Sequence, residues 1–412
     1  MTGRRSGPDD ARAIPQRGSG DDASGPGDGS GEGAEGVYTV DVRGRGRQSA
    51  GPRGGRGDAG GAPLPASQGG RGRGRRQPSP AGAPRRRRRR PVLLFVGLLV
   101  VAWLAFMVLT PLHAWSQVTK VDTAPEGERP AGGKGYNYLL VGSDSREGLT
   151  DEQKKEYATG SAEGRRTDSI ILVHVPQGGG KPALISLPRD SFVPIPGKDS
   201  NKINAAFAFG GPKLLVNTVE QVTDLRIDGY VEIGFAGFAS VVDSLGGVDI
   251  CVKFPMDDKK AGINLEKGCQ TLDGKNALGY VRARYSDPRG DIGRADRQRQ
   301  FLAAIMKKAA TPSTVLIPTR YWGFTHASAE GLIVGEDTSV VDAGRVMMAM
   351  RAVSRDEGLS LVVPIQSEDY QTGAGSAVKW NTERAKALFT MLRNDEPLEE
   401  PPPGTDGKPS GG

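Results

Sequence analysis

The chain has 412 residues, 25% of them charged, and a formal net charge of +7. That charge is uneven: residues 1–90 hold 19 Arg, no Lys and 9 acidic side chains, so a +10 segment precedes a remainder of −3. The basic balance belongs to the N-terminal segment, which excludes a body coated with positive charge for nucleic acid.

Residues 1–90 are rich in Gly, Arg, Pro and Ser, with almost no aliphatic periodicity. Such a segment cannot bury enough apolar surface to offset its chain entropy, so a disordered tail is expected. Arg/Gly segments also bind RNA, but a solvated cytoplasmic tail is the reading adopted. Pro91–Leu112 follows, 22 residues without a charge, about 33 Å of helix at ~1.5 Å per residue. The apolar run is too long for a secretory signal, starts too far into the chain, and lacks a good cleavage site before Trp115, so a transmembrane helix is expected. Arg85–Arg90 flank its N-terminal end, and only Lys120 lies near the other. The positive-inside rule then puts the tail in the cytoplasm and residues 113–412 outside. Residues 113–135 are expected to be a linker, 136–394 one extracellular domain, and 395–412 a disordered Pro/Gly tail. Cys251 and Cys269 both fall in the exported part, in no metal-ligand spacing, and are expected to pair as a disulfide.

Within the domain, YNYLLVG (136–142), SIILVHVP (169–176) and PALISLP (182–188) read as strands, the last two joined in a hairpin by GGGK. That GGGK lacks the upstream Gly of a phosphate-binding loop and is only a turn. KINAAFAFG and GPKLLVNTVEQVTDL read as helices, DGYVEI as a strand, FAGFASVVDSLGG as a helix closed by glycine, and VDICVKF as a strand. A capped helix starts in TLDGKNALGYVRAR, and DIGRADRQRQFLAAIMKKAA is a clearer one. GLIV and LSLVVPI are strands around the helix SVVDAGRVMMAMRAV, and NTERAKALFTML is a last helix capped by Asn381. Strands and helices alternate without a strict period, so the expected fold is α/β, a mixed sheet with helices on both faces.

The stretch GYVRARYSDPRGDIGRADRQRQ (279–300) holds six arginines. Phe301, Leu302, Ile305, Met306 and Ala309 define the buried stripe of its helix; Gln298 falls within about 10° of that stripe and Arg294 within about 50°, with Arg297 and Arg299 at its flanks. The inward face thus turns polar at a helix N-terminus, where the dipole favours an anion. Arg282 and Arg284 share a face if the chain between them is extended. Ion pairing with Asp287, Asp291 or Asp296 is the structural alternative for each arginine. Asp144 in GSDSR and Asp168 in RRTDS sit at strand ends without a nearby His or Cys, a set that suits Mg²⁺, with Arg166 and Arg189 as phosphate forks. The histidines, His113, His174 and His326, form no triad.

The colinear series GSDSR, GRRTDSIIL, ISLPRDSFV, KINAAFAFGGP, FAGFASVVDSLGGVDICV, LDGKNALGYVRARYSD and GRADRQRQF resembles the LytR–CpsA–Psr family, from about Tyr136 to Met306. The resemblance implies a membrane-anchored phosphotransferase that moves a glycopolymer from a polyprenyl-pyrophosphate carrier to peptidoglycan. It also implies a sheet between helical layers, with an apolar tunnel for the prenyl chain. Carried over by motif, Asp144 and Asp168 match the Mg²⁺ site, with Mn²⁺ as the alternative ion. Arg166, Arg189, Arg282, Arg284, Arg294, Arg297 and Gln298 match its pyrophosphate contacts, with Arg189, Arg294 and Asp144 as catalytic candidates. Gly234 departs from the Asn of many members, so any role of that side chain is absent here. A polyprenyl-pyrophosphate pyrophosphatase and a non-catalytic carrier-binding protein are the alternatives.

Overall fold

The computed structural model describes residues 89–145, 149–157, 159, 166–283 and 290–409, apart from the side chains at 89, 90, 290–292 and 294–296. The tail 1–88, Arg284 and the side chain of Arg294 lie outside the described residues. Helix α1 (Arg89–Trp115) carries the uncharged run. Its Pro91–Trp115 stretch is long and apolar enough to cross a membrane and is not buried as a core helix would be.

Only three residues separate α1 from strand β1 (Thr119–Val121), inside the stretch expected as a linker. That stretch is tied down further along. The Arg129 guanidinium meets the Glu220 carboxylate at 2.6 Å, with side-chain exposures of 17% and 1%.

Strand β2 (Tyr136–Ser143), the short helix α2 (Asp151–Glu156), β3 (Thr167–Val175) and β4 (Ala183–Ser186) follow. Next come β5 (Phe192–Val193), β6 (Asn201–Lys202) and α3 (Ile203–Thr223). Helix α3 is broken at Gly210 and Gly211, and Gly211 has φ of 64°, a conformation open to glycine without strain. The two helices expected on either side of this point are its two halves. Strand β7 (Gly229–Ile233), helix α4 (Phe235–Ser244), and strands β8 (Val248–Val252), β9 (Met256–Asp258), β10 (Ile263–Leu265) and β11 (Gly268–Leu272) come next. The Asp273 carboxylate then accepts from the Asn276 amide and starts α5 (Gly274–Arg282). After it come α6 (Gly290–Ala309), α7 (Pro312–Leu316), α8 (Pro318–Gly331), β12 (Leu332–Gly335) and α9 (Val340–Val353). Strands β13 (Leu359–Val362), β14 (Ile365–Thr372) and β15 (Gly375–Trp380) and helix α10 (Thr382–Arg393) complete the series.

Seven strands form one mixed sheet in the order β1-β12-β7-β2-β3-β4-β13. The alternation of β2 and β3 decides what covers each face. Leu139, Ile170 and Leu172 point to a core shared with α3 and α10. Tyr138, Ile171 and Val173 point to a core shared with Val346 and Ala349 of α9. Helices therefore flank both faces, as expected. A separate cluster packs β8 and β11 against α5 and α6, and Cys251 and Cys269 face each other across this antiparallel strand pair, joined in a disulfide.

Residues 395–409 differ from the disordered tail expected. Leu398 is 4% exposed within the main core, and its carbonyl accepts from Lys181; the Thr405 carbonyl accepts from Val362 of the edge strand β13. Leu398, these backbone bonds and the buried Asp395 carboxylate, which accepts from the Gln177 and Gly178 amides, hold a Pro-rich segment that has no periodicity of its own.

Candidate active site

Strands β2 and β3 are antiparallel, so the end of one lies beside the start of the other. The register shifts between Gly142 and Ser143, where β2 ends and the chain leaves the sheet. There Asp144 and Arg166 lock together through backbone and side chain. The Asp144 amide donates to the Arg166 carbonyl at 2.9 Å, and the Arg166 amide donates to Asp144 Oδ1 at 2.6 Å. The Arg166 side chain is exposed beside them.

Two residues on, Asp168 meets Arg189 from the loop after β4: Arg189 Nη1 donates to Asp168 Oδ1 at 2.5 Å, and its Nε to Asp190 Oδ2 at 3.3 Å. Lys202 Nζ lies 3.1 Å from the other Asp190 oxygen. Burial alone would raise the Asp190 carboxyl, but Arg189 and Lys202 outweigh it and hold it below the usual carboxylate range.

Arg282, the last residue of α5, turns its guanidinium over the Phe235 ring at 4.9 Å and donates to the Tyr157 carbonyl at 2.6 Å. The helix expected to start in TLDGKNALGYVRAR thus carries Arg282 at its end, and the extended chain on which Arg282 and Arg284 would share a face does not begin before it. Gln298 faces inward as the periodicity requires, and its Oε1 accepts from Ser169 at 2.9 Å. Arg297 has a different setting from the one expected. At 4% exposure, it donates from Nε to the Tyr280 carbonyl at 3.1 Å and from Nη2 to the Ala283 carbonyl. Those carbonyls close the C-terminus of α5, where helical acceptors lack partners. Arg297 thus braces the helix that carries Arg282.

Asp168, Ser169, Arg282 and Gln298 border one end of a cavity of about 310 Å³ whose other walls include Leu140, Val231, Phe235, Phe238 and Phe301. The cavity extends to Trp115 and to Phe324 of α8. The polar end and one wall, the stripe Phe301, Leu302, Ile305 and Met306, were legible in the sequence; the wall from α4 was not, and the Phe235/Phe238 pair, three apart on that helix, was its available signal.

The residues fit a hard cation. Ser143 and Thr167, partners in the β2–β3 register, each bury a hydroxyl that has no hydrogen-bond partner among the described residues, and they adjoin Asp144 and Asp168. This oxygen-only set suits Mg²⁺. Among the described residues no group of three or more His, Cys, Asp or Glu converges, so an ion here would retain waters as Mg²⁺ does.

The LytR_cpsA_psr family model matches residues 111–327. The chain is 43% identical over 299 residues to a probable cell wall biosynthesis protein, LcpB, of Corynebacterium glutamicum, covering 72% of this chain and 70% of that one. It is 38% identical over 185 residues to the polyisoprenyl-teichoic acid–peptidoglycan teichoic acid transferase TagU of Oceanobacillus iheyensis, and spans 53% of that relative's length. In fold it matches the LytR-Csp2A-Psr enzyme from Actinomyces oris with a TM-score of 0.52 at 23% identity, covering 67% of this chain and 96% of that one. The family match spans more than half the chain and lies across the cavity and its charged end: the protein belongs to the LytR_cpsA_psr family.

Proposed function

We propose that the protein is a membrane-anchored phosphotransferase that moves a glycopolymer phosphate from a polyprenyl-pyrophosphate carrier to peptidoglycan. One observation carries this reading: an apolar cavity ends against Asp168, Arg282 and Gln298, with Arg189 on Asp168. An apolar chain joined to a highly charged head needs that pairing of surfaces. Anchoring by α1 with an inward N-terminus, indicated by the Arg85–Arg90 run, puts the site on the outer side where both substrates lie.

In the transfer an acceptor hydroxyl attacks the phosphorus next to the sugar. An O–P bond forms, the bridging P–O bond breaks, and polyprenyl phosphate leaves. Such reactions need alignment and positive charge where negative charge grows. Arg189 and Arg282 supply fixed guanidiniums, and Gln298 orients by hydrogen bonding. Asp144, whose Oδ1 accepts from the Arg166 amide, is the candidate acceptor for the hydroxyl proton where its other oxygen is not committed to a cation. Asp144 and Asp168, with Ser143 and Thr167, would hold Mg²⁺, which supplies charge neutralisation at the pyrophosphate.

The test incubates the full chain in phospholipid vesicles with a polyprenyl-pyrophosphate-linked saccharide, a peptidoglycan oligomer and Mg²⁺. A saccharide joined to the oligomer by a phosphodiester is the expected product, abolished by chelator and restored by added Mg²⁺. Release of free saccharide phosphate with the oligomer unmodified would overturn the ligase reading in favour of a pyrophosphatase.

A further inference from the structure

We infer that α7 and the first half of α8 lie in the outer leaflet of the membrane beside α1, so that the apolar cavity meets that leaflet at its headgroup boundary. This rests on the reading of α1 as a membrane anchor. The Tyr321 hydroxyl donates to the Met107 carbonyl of α1 at 2.9 Å. Phe106 packs against the rings of Tyr321 and Trp322 with centroids 6.0 and 6.5 Å apart. Further along, His113 lies 5.6 Å from His326, and Ala114 shares an apolar cluster with Ala329. The two helices therefore run side by side in the same direction, with Tyr321 level with Met107.

Counting along α1 gives the depth. A hydrocarbon core of ~30 Å takes about 20 helical residues. Starting at Pro91, which follows the arginine run, its outer edge falls near residue 111, about 6 Å beyond Met107. Tyr321 must lie equally deep. Because α8 starts at Pro318 and α7 ends at Leu316, the turn between them reaches deeper still. A depth of roughly 5–10 Å is where interfacial helices sit.

The side chains suit that place. Leu316, Ile317 and Trp322 are 60%, 40% and 45% exposed, an apolar turn that water does not favour. Lipid tolerates few unpaired polar groups, and this segment meets the condition from within. The Thr311 and Thr314 hydroxyls both donate to the Lys308 carbonyl, at 2.8 and 3.0 Å. Pro312 and Pro318 stand in the first turns of α7 and α8, where they remove N–H groups that would lack acceptors. Arg320 is exposed, and its long stem can carry the guanidinium up to lipid phosphates. Phe324 and Ser328 of α8 line the cavity together with Trp115. By the same count Phe324 stands at the outer edge of the hydrocarbon and Ser328 and Trp115 about 5 Å beyond it, so the cavity meets the leaflet at its headgroup boundary.

The test uses the full chain with its disulfide closed and a single added thiol, Leu316→Cys, carrying an environment-sensitive fluorophore. The protein is placed in vesicles of phosphatidylcholine with a minority of phosphatidylglycerol. Leu104→Cys on α1 and Gln371→Cys on β14 serve as references, and Ile317→Cys replaces Leu316→Cys if the latter fails to fold. Nitroxide-labelled acyl chains should quench the probes at 104 and 316 but not at 371, and aqueous iodide should do the reverse. Lipid quenching at 104 with iodide quenching at 316 and 317 would overturn the inference alone. Loss of lipid quenching at 104 would overturn the anchor reading, and the inference with it.

Discussion

Replacing Arg189 with alanine removes a guanidinium that meets Asp168 at 2.5 Å and Asp190 at 3.3 Å. The Arg189 and Asp168 side chains are 21% and 34% exposed, a partly solvated pair of the kind whose loss costs about 1 kcal/mol or less. Asp190 keeps Lys202 at 3.1 Å, so the loop retains an anchor. In a domain of this size about 1 kcal/mol lowers Tm by roughly 2–4 °C. A guanidinium that stabilises charge on a transferring phosphoryl group contributes about 3–4 kcal/mol to the transition state, on the order of a hundredfold to a thousandfold in rate. The two roles therefore separate cleanly when transfer rate in vesicles and Tm are measured on the same preparation. Arg189→Ala should keep Tm within a few degrees and lose transfer by about a hundredfold or more. A variant that turns over within about tenfold of the parent, or whose loss of activity follows a large fall in Tm, would refute the clamp.

Arg129→Ala strands the Glu220 carboxylate, 1% exposed, and should cost about 3–5 kcal/mol in urea unfolding. Adding Glu220→Gln to Arg129→Ala should recover part of that loss. Breaking the Cys251–Cys269 disulfide, which closes an 18-residue separation, should cost about 3 kcal/mol by the same measurement. Burial pushes the His174 imidazole below its ordinary value, against the pull of Asp395 at 3.4 Å. The unfolded chain therefore takes up that proton first, and stability should fall as pH drops below about 6.5 and level off beneath the lowered folded value. Comparing urea midpoints across that window, His174→Gln should lack this component of the slope.

The sheet was legible because its central strands are long apolar runs whose alternate side chains feed two cores. Tyr138 and Leu139 go to opposite faces, as period two requires. Short elements were not legible. Thr119–Val121 is held by pairing with β12, and Leu398 by its place in the main core; neither signal is local. At the site, the wheel of α6 placed Gln298 correctly because that residue answers to its own helix. It assigned Arg297 to the flank, whereas the open carbonyls of α5 draw that side chain into the interior. A helical wheel contains no information about the unsatisfied acceptors of a neighbouring element. Arg284 and the Arg294 side chain fall outside the described residues, so the direction inferred for Arg294 rests on the wheel.

Only Ser116, Gln117 and Val118 separate the end of α1 from β1 at the edge of the main sheet. A connector of three residues spans at most about 10 Å when fully extended. On the proposed anchoring by α1, the domain stays close to the membrane, with the charged end of its cavity near the lipid surface. Under the proposed function, the acceptor strands would then be the ones nearest the membrane, the innermost glycan.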